Sequence, residues 1–115
     1  PISSTWFQLG ILTRDNLKLI GDLGIHFKSD SEIELGCTIS TEQQGKGYAF
    51  ESMQSVVELL KNDFGKERFI ASLDPRNTTA IKLMEKLCFK KEGLYLKRFR
   101  IRGEWVDDLV YVLKI

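Results

Sequence analysis

An α+β domain, built from one mixed sheet with two helices laid against it, is predicted by three features of this 115-residue sequence. Runs of strand length rich in β-branched and aromatic residues open and close the chain. Two central segments repeat apolar residues at steps of three and four, and each lies between strand-like runs. A helix that carries the chain from one strand to a parallel neighbour implies a sheet with a parallel portion, and the hairpins at either end imply antiparallel portions. A chain of this length buries roughly two-thirds of its unfolded surface in one core, so residues 1–115 are expected to form a single domain.

Residues 6–12 and 17–27 are the first two strands, and Thr13-Arg14-Asp15-Asn16 between them supplies the chemistry of a hairpin turn. Residues 33–39 form a third strand after the polar cluster Lys28-Ser29-Asp30-Ser31. From Gly47 the period changes. Phe50, Met53, Val57, Leu60 and Phe64 make one helical stripe, with Gly65 placed to end it. Residues 68–73 are a short apolar strand closed by Asp74-Pro75. A second helix follows with Ala80, Met84 and Leu87 on one face, and Asn77 or Thr78 as its N-cap. The rest alternates as strands, Gly93 to Ile101 and Val106 to Ile115, around a turn at Arg102-Gly103. The expected order is β-β-β-α-β-α-β-β.

Seventeen Lys and Arg against 16 Asp and Glu leave a net charge of +1, so no global field draws the chain to nucleic acid or an anionic membrane. No run approaches the ~20 apolar residues that span a bilayer, and no secretory leader opens the sequence, so a cytoplasmic location and no membrane partner are expected. Cys37 and Cys88 are too few for a disulfide scaffold and belong to no metal-ligand spacing. Both are expected to be reduced, buried, small apolar residues, with no metal bound.

The chemistry is concentrated in Gln43-Gln44-Gly45-Lys46-Gly47-Tyr48-Ala49, between the third strand and the first helix. Glycines in such a loop let successive N–H groups turn toward one point, and a helix N-terminus adds its own unpaired donors and the positive end of its dipole. An anion such as a phosphate or pyrophosphate suits that place. A Walker loop is disfavoured, because Lys46 is followed by Gly47 and Tyr48 with no hydroxyl for magnesium. A dinucleotide fingerprint is disfavoured as well, because Phe50 stands where its third glycine belongs. A glycine turn with no ligand is the remaining alternative.

The spacing Gln44-x-x-Gly47-x-Ala49 resembles the pyrophosphate-binding signature of the GNAT N-acetyltransferases. IELGCTISTEQQGKGYAFESM, DPRNTTAIKLMEKLCFKKEG and GEWVDDLVYVL resemble, in the same order, three pieces of the Rim-type, ribosomal-protein N-terminal acetyltransferase branch. The resemblance implies a GNAT-like domain that takes acetyl-coenzyme A as cosubstrate and moves the acetyl group to a primary amine. A protein N-terminus is the acceptor expected first, with small amines such as polyamines next. It also implies that the family's N-terminal strand and helices are missing from this stretch of sequence.

By the same resemblance, Gln44, Gly45, Lys46, Gly47, Tyr48 and Ala49 would cradle the pyrophosphate. Thr38 and Ile39 would offer main-chain groups to the pantetheine and acetyl carbonyl where their strand splays from the one containing Ile70. Asn77 would bond the pantetheine arm, in place of or beside an ordinary capping role, and Lys82 or Lys86 would meet an outer phosphate. Glu34 is the expected base, an ordinary surface Glu being the alternative, and the single histidine, His26, is expected to be structural. Family members place a Tyr acid about where Leu83 and Met84 stand, or a Ser at the place of Ala80. Neither hydroxyl occurs here.

Seven cations between residues 86 and 102 oppose only Glu92, which suits either an anionic partner or a strand edge protected by charge. Nucleic acid is not an expected partner beyond what association with a ribosome would bring, and the apolar last strands could pair in a homodimer. The rival readings are an acyl-coenzyme A binding module without catalysis, and an RNA-associated protein that uses the basic hairpin.

Overall fold

The computed structural model describes residues 6–39 and 44–114, without the side chains of Ile39 and Phe99. Gln43, the first residue of the loop motif, lies outside the described residues. The elements follow the predicted order: β1 (Trp6–Leu12), β2 (Leu19–Phe27), β3 (Glu32–Ile39), α1 (Tyr48–Phe64), β4 (Arg68–Leu73), α2 (Thr78–Lys86), β5 (Lys90–Ile101) and β6 (Glu104–Lys114). They form one six-stranded mixed sheet in the order β1-β2-β3-β4-β6-β5.

Only β3 and β4 pair in parallel, through the α1 crossover. The second crossover, through α2, does not make its strands neighbours. β6 inserts between them, antiparallel to both, because a strand that follows a tight hairpin pairs locally and here also pairs with β4. The strand edges move as well. β2 starts at Leu19 rather than Leu17, β5 already at Lys90, and β6 at Glu104. The early part of β5 is Lys90-Lys91-Glu92, which carries no apolar alternation and is held in the sheet by its pairing with β6.

Both helices cover the same face of the sheet. Leu23 and Ile25 of β2, Ile33 and Leu35 of β3, Phe69 and Ala71 of β4, and Leu109 and Tyr111 of β6 point to that face, where Met53, Val57 and Leu60 of α1 and Met84 of α2 meet them. Cross-strand partners agree in parity, as in Leu23↔Cys37 and Phe69↔Leu113, so one register fixes which side chains are buried. Phe64 continues the α1 stripe in sequence but is 60% exposed, since Gly65 turns the chain away directly after it with φ 63°. The opposite face carries a small apolar cluster, Ile70, Val110 and Val112, among polar side chains.

Helix α2 ends in a Schellman motif. The Phe89 N–H donates to the Met84 carbonyl at 2.9 Å and the Cys88 N–H to the Glu85 carbonyl at 3.0 Å, with Met84 and Phe89 both buried. This motif requires a left-handed residue, and Cys88 occupies the position with φ 69°. Cys88 is therefore exposed rather than buried as expected: the cap holds it outside the core. Cys88→Gly removes the Cβ strain and is expected to stabilise the fold by about 1 kcal/mol. A thermal melt should show the midpoint rising by roughly 4 °C.

Candidate functional site

The site begins with a short ladder. β3 and β4 pair at Glu32↔Arg68, Ile33↔Phe69 and Glu34↔Ile70, and then part company. Beyond Glu34, β3 stays with β2 as far as Ile39↔Gly21, while β4 stays with β6 as far as Leu73↔Leu109. A wedge opens between the two strands, and the main-chain edges that face it are not bonded to each other. This is the splay expected beside Ile70, and Thr38 and Ile39 lie on its β3 side. The Thr38 side chain is exposed and, by parity, turned away from the helices, so a main-chain role is the one left to it at this cleft.

The loop that leads into α1 stands at the mouth of this wedge. Gly45 and Gly47 both have φ 82°, a conformation that L side chains rarely adopt. A Cβ added at either position would meet nothing within 4 Å, so open space lies beside the backbone. Gly47 is the N-cap of α1, and no side chain caps the helix. The amides of its first turn are consequently left to water or a ligand.

A cleft of about 410 Å³ joins these parts. Of the residues expected to bind a cofactor, Gln44, Gly45, Gly47, Tyr48, Ala49, Asn77 and Lys82 line it. Lys46 is exposed on the same loop but is not part of the lining. Lys86, the alternative to Lys82, lines it too, whereas sequence reading missed Cys37, Phe50 and Thr79 as wall residues. The signals were present: Thr79, Lys82, Leu83 and Lys86 follow helical spacing, and Cys37 continues the inward alternation of Ile33 and Leu35. A hollow of about 430 Å³ between the starts of β5 and the end of β6 is slightly larger, but it has neither a glycine loop nor a helix N-terminus.

Asn77 caps α2, its Oδ1 accepting from the Ala80 N–H at 3.0 Å. The preceding loop is tied down. The Asn77 N–H donates to the Asp74 carbonyl at 2.9 Å, and Arg76 bonds the Asp74 carboxylate while reaching Glu104 at 3.2 Å. The Arg76 guanidinium holds the Asp74 carboxyl below the usual carboxylate range. On the helix wall, Lys86 sits over the Phe50 ring at 4.4 Å. Ala80 and Leu83 line the cleft and Met84 is in the core, so among the described residues the hydroxyl-bearing side chains of the wall are Tyr48 and Thr79.

Cys37 is half-buried in the cleft wall, and burial together with the charge of Asp22 pushes its thiol up to about 11. At neutral pH it is expected to react with an alkylating reagent about 100-fold more slowly than an ordinary thiol. Mass-spectrometric labelling should find the exposed Cys88 modified first, and Cys37 slower still once the cleft is filled.

Glu34, the last residue of the parallel ladder, lies on the face away from the helices. Its Oε1 is 3.5 Å from His26 Nδ1 and 3.8 Å from Lys28 Nζ. Near it on this face, Arg68 bonds both Glu32 and Glu92. Farther along, Asp108 is 3% exposed, accepts from the Ser72 hydroxyl and pairs with Arg98 at 3.1 Å. The basic excess of residues 86–102 is thus partly engaged, with Arg98 also lying 3.7 Å from the Tyr95 ring and Arg100 stacked toward Trp105. Among the described residues, no group of three or more His, Cys, Asp or Glu converges to hold a metal.

Residues 3–90 match the family described as the acetyltransferase (GNAT) domain. The chain is 27% identical over 108 residues to the uncharacterized N-acetyltransferase p20 of Bacillus licheniformis, covering 92% of this chain and 61% of that protein. It is 30% identical over 110 residues to the ribosomal protein uS5-alanine N-acetyltransferase of Escherichia coli, covering 93% of this chain and 57% of that one. A crystal structure of a GNAT-family acetyltransferase from Bacillus anthracis superposes with a TM-score of 0.88 at 25% identity, covering 93% of this chain and 65% of the other. The chain therefore spans about three-fifths of the length of the curated relatives it matches.

Proposed function

Since this chain belongs to the GNAT acetyltransferase family, we propose that it binds acetyl-coenzyme A in the α1–α2 cleft and transfers the acetyl group to a primary amine, a protein N-terminal amine before any other. The observation that carries this reading is the meeting, at one cleft, of the β3–β4 wedge with a glycine cradle that a Cβ would fill. The cradle fits a pyrophosphate: positive φ at Gly45 and Gly47 and an uncapped helix start leave main-chain donors available to an anion.

In this reading the amides of Gly45 to Ala49 hold the diphosphate, with Gln44 and Lys46 on the same loop and Lys82 on the facing helix. The edge of β3 at Thr38 and Ile39 aligns an extended chain by main-chain hydrogen bonds, and an N–H there faces the charge that grows on the acetyl oxygen. Asn77, already oriented by its capping bond, borders the same arm. Bound acetyl-coenzyme A supplies the activated thioester carbonyl. Glu34 takes a proton from the acceptor ammonium, and the freed amine attacks the carbonyl carbon as the carbon–sulfur bond breaks. The nitrogen gives up its second proton to water as the amide forms, and the thiolate takes a proton from water or from Tyr48 or Thr79 at the cleft wall, which water then reprotonates. An α-amine, with a pKa near ~8, asks less of Glu34 than a lysine side chain near ~10.4. The 30% identity to a protein named as a ribosomal protein uS5-alanine N-acetyltransferase supports that acceptor class.

The test is calorimetric titration with coenzyme A, followed by free-thiol release from acetyl-coenzyme A in the presence of an alanine-led peptide or spermidine. Binding with turnover on the peptide supports the proposal. Binding without turnover on any amine favours an acyl-coenzyme A module, the outcome suggested by apolar Ala80 and Leu83 in the wall. No heat from folded protein removes both readings.

A further inference from the structure

On the face of the sheet opposite the helices, His26 and Glu34 are directly opposed in the β2–β3 ladder. Their side chains are 17% and 20% exposed, and His26 Nδ1 lies 3.5 Å from Glu34 Oε1. A carboxylate only accepts, so in this contact the ring donates through Nδ1–H. Its Nε2 is buried and has no hydrogen-bond partner among the described residues. The imidazole is clamped from above by Trp6, whose ring stacks on it at 5.0 Å and 27°. The Trp6 ring also lies over Gly24, where a Cβ would come within 3.1 Å of it. An apolar ring would fill the same place without leaving a polar atom dry, so packing does not account for a histidine.

The contacts around Glu34 are one-sided. His26 and Lys28 both address Oε1, leaving Oε2 without a partner among the described residues. The other charged groups of this neighbourhood are already committed to one another: Arg68 of β4 bonds Glu32 of β3 and Glu92 of β5. β1 contributes the uncharged Trp6 and Gln8 to this face. The imidazole thus has one charged partner, and that partner stands at the last rung before the wedge opens.

We propose that His26 is a positioning residue for Glu34: its Nδ1–H, fixed by the Trp6 stack, anchors one carboxylate oxygen so that the other is presented to the acceptor amine. This rests on the reading of Glu34 as the base.

The test compares His26→Phe, which keeps the stack and removes the donor, with His26→Asn, whose amide N–H can occupy the place of Nδ1. Both are made in the full chain and assayed by thiol release with an alanine-led peptide between about pH 6 and 9. His26→Phe should lower kcat roughly tenfold, the loss of one hydrogen bond to a charged group. It should melt no lower than the parent and bind coenzyme A unchanged. His26→Asn should restore the rate. In a Glu34→Gln background, His26→Phe should have no further effect. An equal loss with and without the Glu34 carboxylate, or no rescue by His26→Asn, overturns the proposal. If Glu34→Gln alone leaves the rate intact, the role of Glu34 falls and takes this one with it. If Glu34→Gln is slow and His26→Phe is as fast as the parent, only the role of His26 falls.

Discussion

Gly47→Val is expected to weaken coenzyme A binding about 100-fold or more, the equivalent of losing nearly 3 kcal/mol of interaction, while leaving the fold in place. Gly47 has φ 82°, and nothing lies within 4 Å of the position a Cβ would take. The new Cβ therefore meets none of the described residues. Its effects are the strain of a β-branched residue in a left-handed conformation, about 2 kcal/mol, and methyl groups standing in front of the first-turn amides. Calorimetry with coenzyme A alongside a thermal melt separates the two. Gly47→Ala should fall between parent and valine variant in both. An unchanged affinity in a folded Gly47→Val protein would remove the anion cradle from the site.

Glu34→Gln is expected to lower the transfer rate on an alanine-led peptide by a factor of about 100 at neutral pH, within the usual range for losing a general base. Coenzyme A affinity should stay unchanged. Glutamine keeps the shape and can still meet Lys28, which is largely solvated, so stability should change by no more than about 0.5 kcal/mol. The pH dependence carries the diagnosis. Above the pKa of the acceptor, the amine arrives already neutral and needs no base. The deficit should therefore shrink by about pH 9 for an α-amine but persist there for a lysine-like amine, whose pKa is near ~10.4. A deficit that ignores the basicity of the acceptor would assign Glu34 a role in binding instead.

The amphipathic stripes and the glycine loop were legible because they are local. Met53, Val57 and Leu60 are buried as their spacing requires, Asn77 caps α2, and Gly65 ends α1. Other features depend on which strands meet, and no window of sequence contains that. The insertion of β6 beside β4 places Ile70, Val110 and Val112 together, which neither hairpin foretells. Cys88 looked like a core residue because its neighbours Leu87 and Phe89 are apolar, whereas the turn of the Schellman motif decides its exposure. Within the site, the loop residues and Asn77 were visible through motif spacing. The contact between His26 and Glu34 was hidden by an eight-residue separation that only the β2–β3 register converts into opposition.

The three rungs that join β3 to β4 also set a tolerance. Because side chains alternate, sliding β3 by one residue would transfer Glu34 to the side of Met53 and Met84 and lift Ile33 and Leu35 out of the interior in the same stroke. The side of the sheet on which the Glu34 carboxylate stands, beside the opening of the wedge, is thereby insured by the hydrophobic interior.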